Sequence, residues 1–233
     1  AYPYGAGSTA IGAAMFLDPD FERRTGSAWS DIVVNTTGEE IASEERLREL
    51  QAADPGEVVV WHFLRPETDP EDQKLLDMSN LYPGSAVASD AMPWQFPDGS
   101  FLDGDVWPLP ADVSAHPRSA ATFSRFISMY VKKLGRLELI DAIEKCTLIP
   151  AQILEESTPS MKRKGRLQPG ADADVIVFDL SEIRDEATFE KPTVPSAGMK
   201  HVLVNGVPLI KDGELDTAVL PGRPVRRDIL VQT

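Results

Sequence analysis

The feature that most constrains the fold is a change of hydrophobic period near Lys164. Before it, residues 121–134 carry Phe123, Phe126, Ile127, Tyr130 and Val131 at helical spacing, and residues 137–155 carry Leu139, Ile140, Ile143, Cys146 and Leu148 in the same way. Pro150 should kink or divide the second of these helices, because it lacks a backbone donor and crowds the preceding turn. Beyond Lys164 the period falls to two. Residues 174–179 read as a strand, and residues 200–210 as a hairpin around Asn205-Gly206, a pair that favours a type I′ turn. Asp212-Gly213 marks its end. A chain that changes period in this way builds a helical layer first and an antiparallel β lobe second.

Upstream, residues 1–55 are rich in loop formers, with one charged helical stretch over residues 39–53. Residues 56–63 form a short apolar, β-branched run that suits a strand buried on both faces, as in a parallel sheet. Residues 70–78 read as a polar helix, and residues 85–90 as a second small strand ending on Asp90. Residues 91–115 are rich in Pro, Gly, Asp and Trp and have no period; Trp94, Phe96 and Trp107 are the bulky side chains expected to order them. The class is therefore α/β, with strand and helix alternating before the β lobe.

The charge balance narrows the partners. A net charge of −14 counts against nucleic acid, which demands a clustered basic face, and against an anionic membrane surface. The one basic run, residues 162–166, reads as a solvated linker. No apolar run approaches the roughly 20 residues of a membrane span. A single cysteine excludes an internal disulfide and points to a reducing, cytoplasmic compartment.

Several blocks together resemble one family. These are Tyr2-Pro3-Tyr4-Gly5-Ala6-Gly7-Ser8-Thr9, Ala88-Ser89-Asp90, and His116-Pro117-Arg118-Ser119-Ala120-Ala121-Thr122-Phe123, followed by the run from Gly165 to Asp179. They are similar to blocks of the N-acyl-D-amino-acid deacylases of the amidohydrolase superfamily, with Ala121 replacing a usual glycine and residues 91–115 longer than usual. The resemblance implies the C-terminal part of a (β/α)8 barrel over residues 1–161, then part of a small β-sandwich over residues 162–233. It also implies a divalent metal, zinc first, at the C-terminal ends of barrel strands. The chain has three histidines, His62, His116 and His201, too far apart to make a zinc site by spacing, so most metal ligands are expected outside it. A closed barrel takes about 250 residues, more than precede the β lobe here. With no initiator methionine in view either, the chain is expected to work with an N-terminal companion segment of the same enzyme that carries those ligands.

The resemblance gives Asp90 the catalytic role: a carboxylate at a strand tip that takes a proton from metal-bound water and passes it to the leaving nitrogen, and a ligand to the metal as well. The plainer reading of Asp90 is a turn or helix cap. Arg118 would grip a substrate carboxylate through its planar fork, or else make a surface ion pair. Ser8 and Tyr2 match positions that bind the substrate's α-carboxylate; Tyr4 could replace Tyr2, and His116 joins this set or serves the loop. His62 reads as packing near the functional face, His201 as structural, and Cys146 as core. Asp98, Asp103 and Asp105 imitate a calcium loop without its ligand order. The leading expectation is hydrolysis of N-acyl-D-amino acids, with an acidic side chain such as D-glutamate among the options. Its alternatives are a dihydroorotase-like opening of cyclic amides and a non-catalytic scaffold.

Overall fold

The computed structural model describes residues 1–227; the last six residues of the expected sandwich segment lie outside them. It contains two antiparallel sheets joined by helices. The first has the order β1 (Ala6–Ala10), β3 (Val58–His62), β2 (Ile32–Val34), so the apolar run of residues 56–63 is the central strand of an antiparallel sheet, not of a parallel one. Its burial on both faces was legible, since Val59 and Val60 point opposite ways and are both buried. Direction was not, because β1 and β2 are polar or short and read as loop. Gly5, just before β1, has no room for a side chain: a Cβ would lie 2.3 Å from the Leu64 carbonyl oxygen.

One face of this sheet packs on a core of Ile11, Phe16, Phe21, Ile32, Ile41, Leu47 and Val59, with Trp29 stacked on Phe21 at 4.8 Å. Phe21 opens the short helix α1 (Phe21–Thr25), and Leu47 comes from α2 (Glu44–Ala53). That helix starts five residues later than the charge pattern suggests, because the Ser43 side chain accepts the Arg46 N–H and caps it there. Helix α3 (Pro70–Asn80) follows β3, capped by Asp69 with Pro70 in its first turn.

Residues 85–90 are not a strand. Their N–H groups at Val87 and Ala88 go to the carbonyls of Lys145 and Ala1, so the segment is extended but pairs with no ladder among the described residues. Residues 91–115 form an ordered loop, yet Trp107 is about half exposed, and the buried anchors are Gln95 and Val113 instead. Gln95 pairs with Ser114 through both backbone groups, gives its amide to the Gly99 carbonyl and accepts from the Asn35 amide, which ties the loop to the end of β2.

Helix α4 (Arg118–Ile127) runs into a π-helical turn, Ser128–Lys133, that brings Tyr130 into a second core with Val87, Phe126 and Ala142. The expected long helix beyond it is two: α5 (Leu139–Cys146) and α6 (Leu148–Glu155). The break falls at Thr147, which leaves Pro150 in the first turn of α6, where a missing donor costs nothing. The second sheet is a meander, β4 (Val175–Phe178), β5 (Met199–Val204), β6 (Val207–Lys211) and β7 (Glu214–Leu215). Asn205 and Gly206 both have positive φ, 50° and 78°, as a type I′ turn requires. Between β4 and β5, residues 181–196 pack along α4 and the π turn. Lys132 donates to the Ser181 and Ile183 carbonyls, and Ser124 meets Ser196 at 2.5 Å.

Candidate active site

The site is built around one buried arginine. Arg118 is the first residue of α4 and is almost fully buried. Its Nη2 meets the Asp90 carboxylate at 2.8 Å and its Nε donates to the Asp90 carbonyl at 2.7 Å. The tyrosine ring of Tyr2 lies over the guanidinium, 4.7 Å from its carbon. Nη1 has no hydrogen-bond partner among the described residues, although it is buried. A free donor on a buried cation is costly, and an anion is the group that could satisfy it.

Gly7 is where these groups converge. A Cβ there would lie 3.2 Å from the Tyr2 hydroxyl and 3.9 Å from Arg118 Nη1, so any side chain would fill the space between them. Ser8, the next residue on β1, faces the other way by strand alternation, together with its cross-strand partner Val60. Its hydroxyl is buried without a partner, and no hydrogen bond joins it to Arg118.

Asp90 does not sit at a strand tip. It stands in the left-handed region, φ 49°, with a side chain 65% exposed. That conformation is unfavourable for a residue with a Cβ, and aspartate is among the few that tolerate it. Two contacts from Arg118, one to the carbonyl and one to the carboxylate, hold it there.

His116 takes the second of the two places open to it in the sequence, in the framework of the loop. It is fully buried, and both ring nitrogens are used on backbone. Nδ1 accepts the Arg118 N–H at 3.0 Å, satisfying one of the free donors at the start of α4, so the ring proton is on Nε2, which donates to the Ala6 carbonyl at 3.1 Å. Nothing is left for a ligand: His116 fixes the start of α4 against β1. Burial, with Arg118 nearby, pushes its pKa down to about 3. The unfolded chain takes up this proton near pH 6.5 and the folded one does not, so folding stability falls as pH drops from about 6.5 toward 3. His116→Gln should reduce the slope of thermal midpoint against pH between pH 6.5 and 5. His62, whose pKa is also lowered, chiefly by burial, should keep some of it. An unchanged slope in the variant would show that His116 is not held neutral.

Tyr4 packs edge-on to His116 at 5.0 Å and over Arg125 rather than Arg118, so it does not replace Tyr2 at the arginine. His62 and His116 both touch Phe189, a residue from the segment between β4 and β5 that had no visible signal in the sequence. His201 lies in β5, where Nδ1 accepts the Asp212 N–H. The Cys146 thiol is pushed up to about 12 by burial, as befits a packing residue. In the acidic loop, Asp98 accepts from Ser100 and Asp103 from the Gly104 N–H.

Among the described residues no three His, Cys, Asp or Glu side chains converge as a metal site would need. Asp90 stands alone with one oxygen on Arg118, so these residues do not by themselves fit the divalent metal that the resemblance implies. Two cavities of about 450 and 460 Å³ are present, but neither is lined by Asp90, Arg118, Tyr2 or Ser8. The first is lined by Glu67, Arg125, Ser128 and Asp185, and the second by Asp77, Met78, Tyr82 and Arg136. The Asp90–Arg118 pair and these two cavities do not coincide, and Arg118, with Nη1 free among the described residues, is the better guide to a ligand. No helix of the described chain is long and apolar enough to cross a membrane.

The chain belongs to the amidohydrolase family, whose model matches residues 23–210. Among its relatives from Alcaligenes xylosoxydans xylosoxydans, the N-acyl-D-glutamate deacylase is 40% identical over 120 residues, 52% of this chain and 23% of that protein. The D-aminoacylase is 32% identical over 218 residues, 90% of this chain and 38% of that protein. The structure of the N-acyl-D-glutamate deacylase from Bordetella bronchiseptica, complexed with zinc and a phosphonate inhibitor that mimics the tetrahedral intermediate, is similar with a TM-score of 0.61. It shares 26% identity and covers 97% of this chain and 41% of its own. A crystal structure of D-aminoacylase gives a TM-score of 0.59 at 25% identity, covering 92% of this chain and 40% of its own. The chain thus spans well under half the length of these relatives.

Proposed function

We propose that this chain is the carboxylate-reading part of an N-acyl-D-amino-acid deacylase, an enzyme that cleaves the amide to a carboxylate and a free D-amino acid. The observation that carries the reading is Arg118, a buried guanidinium with Nη2 on Asp90 and Nη1 open beside the Tyr2 hydroxyl. A substrate α-carboxylate taken on Nη1 would share one rigid planar group with Asp90. The amide nitrogen is one carbon away from that carboxylate, so the scissile bond falls within reach of the acid. Asp90 then has the task of accepting a proton and returning it to the leaving nitrogen. Tyr2 covers the cation and excludes water from it. The named activities of the relatives support the same reaction.

Residues 1–161 would belong to the C-terminal portion of a (β/α)8 barrel and residues 162–233 to part of a small β-sandwich. A divalent metal, zinc by likeness to the zinc-complexed relative, would be held by ligands on a companion segment outside the described residues. The greater length of the relatives supports that segment. So do large apolar side chains left in solvent on the helices and linker, among them Met78, Ile140, Ile153 and Leu167. The free, packed Cys146 fits a reducing cytoplasmic setting.

The test is a stereochemical one. With the companion segment present and zinc supplied, N-acetyl-D-glutamate or N-acetyl-D-methionine should be hydrolysed and the L enantiomers should not. Turnover of a cyclic amide with none of the D substrates would sink the reading. Native mass spectrometry should find the chain in a larger assembly, and full activity from a 25.5 kDa monomer would remove the companion from the proposal.

A further inference from the structure

Tyr2 and Tyr4 lie over two arginines of one helix. Tyr2 covers Arg118 at 4.7 Å and Tyr4 covers Arg125 at 4.6 Å. Seven residues apart on α4, the arginines are two turns from each other and share a face. The Tyr2-Pro3-Tyr4 segment is therefore clipped along the helix at two points. Arg125 holds it by more than the ring, since its Nε donates to the Pro3 carbonyl at 2.8 Å.

The other two guanidinium nitrogens reach elsewhere. Nη1 meets Asp185, from the segment between β4 and β5, at 2.9 Å, and Nη2 meets Glu67, after β3, at 2.7 Å. Ser128 donates to the second Asp185 oxygen at 3.2 Å. Three other segments, through Pro3 and Tyr4, Glu67 and Asp185, thus meet on one side chain that is about four-fifths buried, and each of its three guanidinium nitrogens has an acceptor. Lysine could not reproduce this, because a point charge cannot serve three acceptors in a plane while lying flat under a ring.

We propose that Arg125 is a positioning residue for the carboxylate-reading arginine. Oriented by Asp185, it fixes the Tyr2-Pro3-Tyr4 segment so that Tyr2 stays over Arg118 and its hydroxyl stays beside Nη1. The segment after β4 thereby reaches the site without touching the ligand. This inference rests on the proposed reading of Arg118 for its kinetic consequence, but not for its geometry.

Two readouts test it in the protein together with its companion segment. The first uses 3-fluorotyrosine and fluorine NMR, with the four tyrosines assigned by Tyr→Phe variants. Asp185→Asn and Arg125→Lys should move or broaden the signals of both Tyr4 and Tyr2 while exposed Tyr82 stays put. A shift confined to Tyr4 would overturn the proposal, and Asp185→Asn keeps the test open if the arginine variant does not fold. The second readout is kinetic. KM for the free-acid substrate should rise about tenfold in either variant, with kcat within a few-fold, since displacement by an ångström suffices for losses of this order. The amidated substrate should lose little. Equal losses on acid and amide would mark a structural role only and overturn the positioning role. If the wild type hydrolyses neither, the deacylase reading fails, and the fluorine signals alone decide about Arg125.

Discussion

Replacing Asp90 by asparagine should lower kcat by about 10²–10⁴-fold, the usual range when a general acid–base group is removed. The fold should survive. Asparagine also tolerates the left-handed backbone that Asp90 occupies at φ 49°, and the Arg118 Nε contact to the backbone carbonyl is untouched by the change. The side chain is largely exposed, so no buried charge is stranded on its side of the pair. Arg118 does lose the anion on Nη2, and a ligand carboxylate could then occupy both of its outer nitrogens. KM should therefore stay the same or fall while kcat collapses, a pattern that separates loss of proton transfer from loss of binding. Turnover within a few-fold of wild type would take Asp90 out of the chemistry.

The second large effect is expected at Arg118, where lysine should be nearly as damaging as alanine. The wild-type side chain uses Nε for the Asp90 carbonyl, Nη2 for the carboxylate, and has Nη1 free. An ammonium group supplies one point of charge and loses the fixed fork, so it cannot hold Asp90 and a ligand at once. A loss in kcat/KM of about 10²-fold or more is expected for either variant, since both the ligand contact and the placement of Asp90 go together. An amidated substrate should be poor for the wild type and relatively less harmed by the mutation. If free-acid and amidated substrates keep their wild-type ratio in Arg118→Lys, the arginine does not read a carboxylate. Circular dichroism should accompany the assay, because Asp90 is strained and Arg118 is what holds it.

Local chemistry accounts for the parts of this structure that were legible beforehand. The Asn205-Gly206 turn and the strands around it follow from side chains a few residues apart, and so does the division of the helical stretch over residues 137–155 near Pro150, whereas the cap at Ser43, which starts α2 later than the charge pattern suggests, was not read. The direction of β3 depends on strands from 50 and 25 residues away, which carry no alternation of their own, and so it was misread as parallel. Asp90 and Arg118 were singled out through the family blocks, and their direct contact could not be foreseen because 27 residues of aperiodic loop lie between them. His116 was open between ligand binding, which the family block suggested, and loop structure. Only its burial, with both nitrogens on backbone, assigns it to the framework. Arg125 was within reach of sequence reasoning, being two helical turns beyond Arg118 on the same face, whereas Asp185 and Phe189 lie in a loop with no pattern at all.

The long loop after Asp90 leaves and returns at nearly the same point. Arg118 clasps Asp90 at its mouth, and Ser119 both accepts the Met92 N–H and donates to the Met92 carbonyl. A loop closed by such a clasp is entropically a ring, and enlarging a ring is cheap: doubling its length costs only about 0.6 kcal/mol. Residues near its exposed tip, around Gly104, are therefore a natural graft site. A fluorophore, a spin label or a small folded insert placed there would ride beside the Asp90–Arg118 pair without prising the two charges apart.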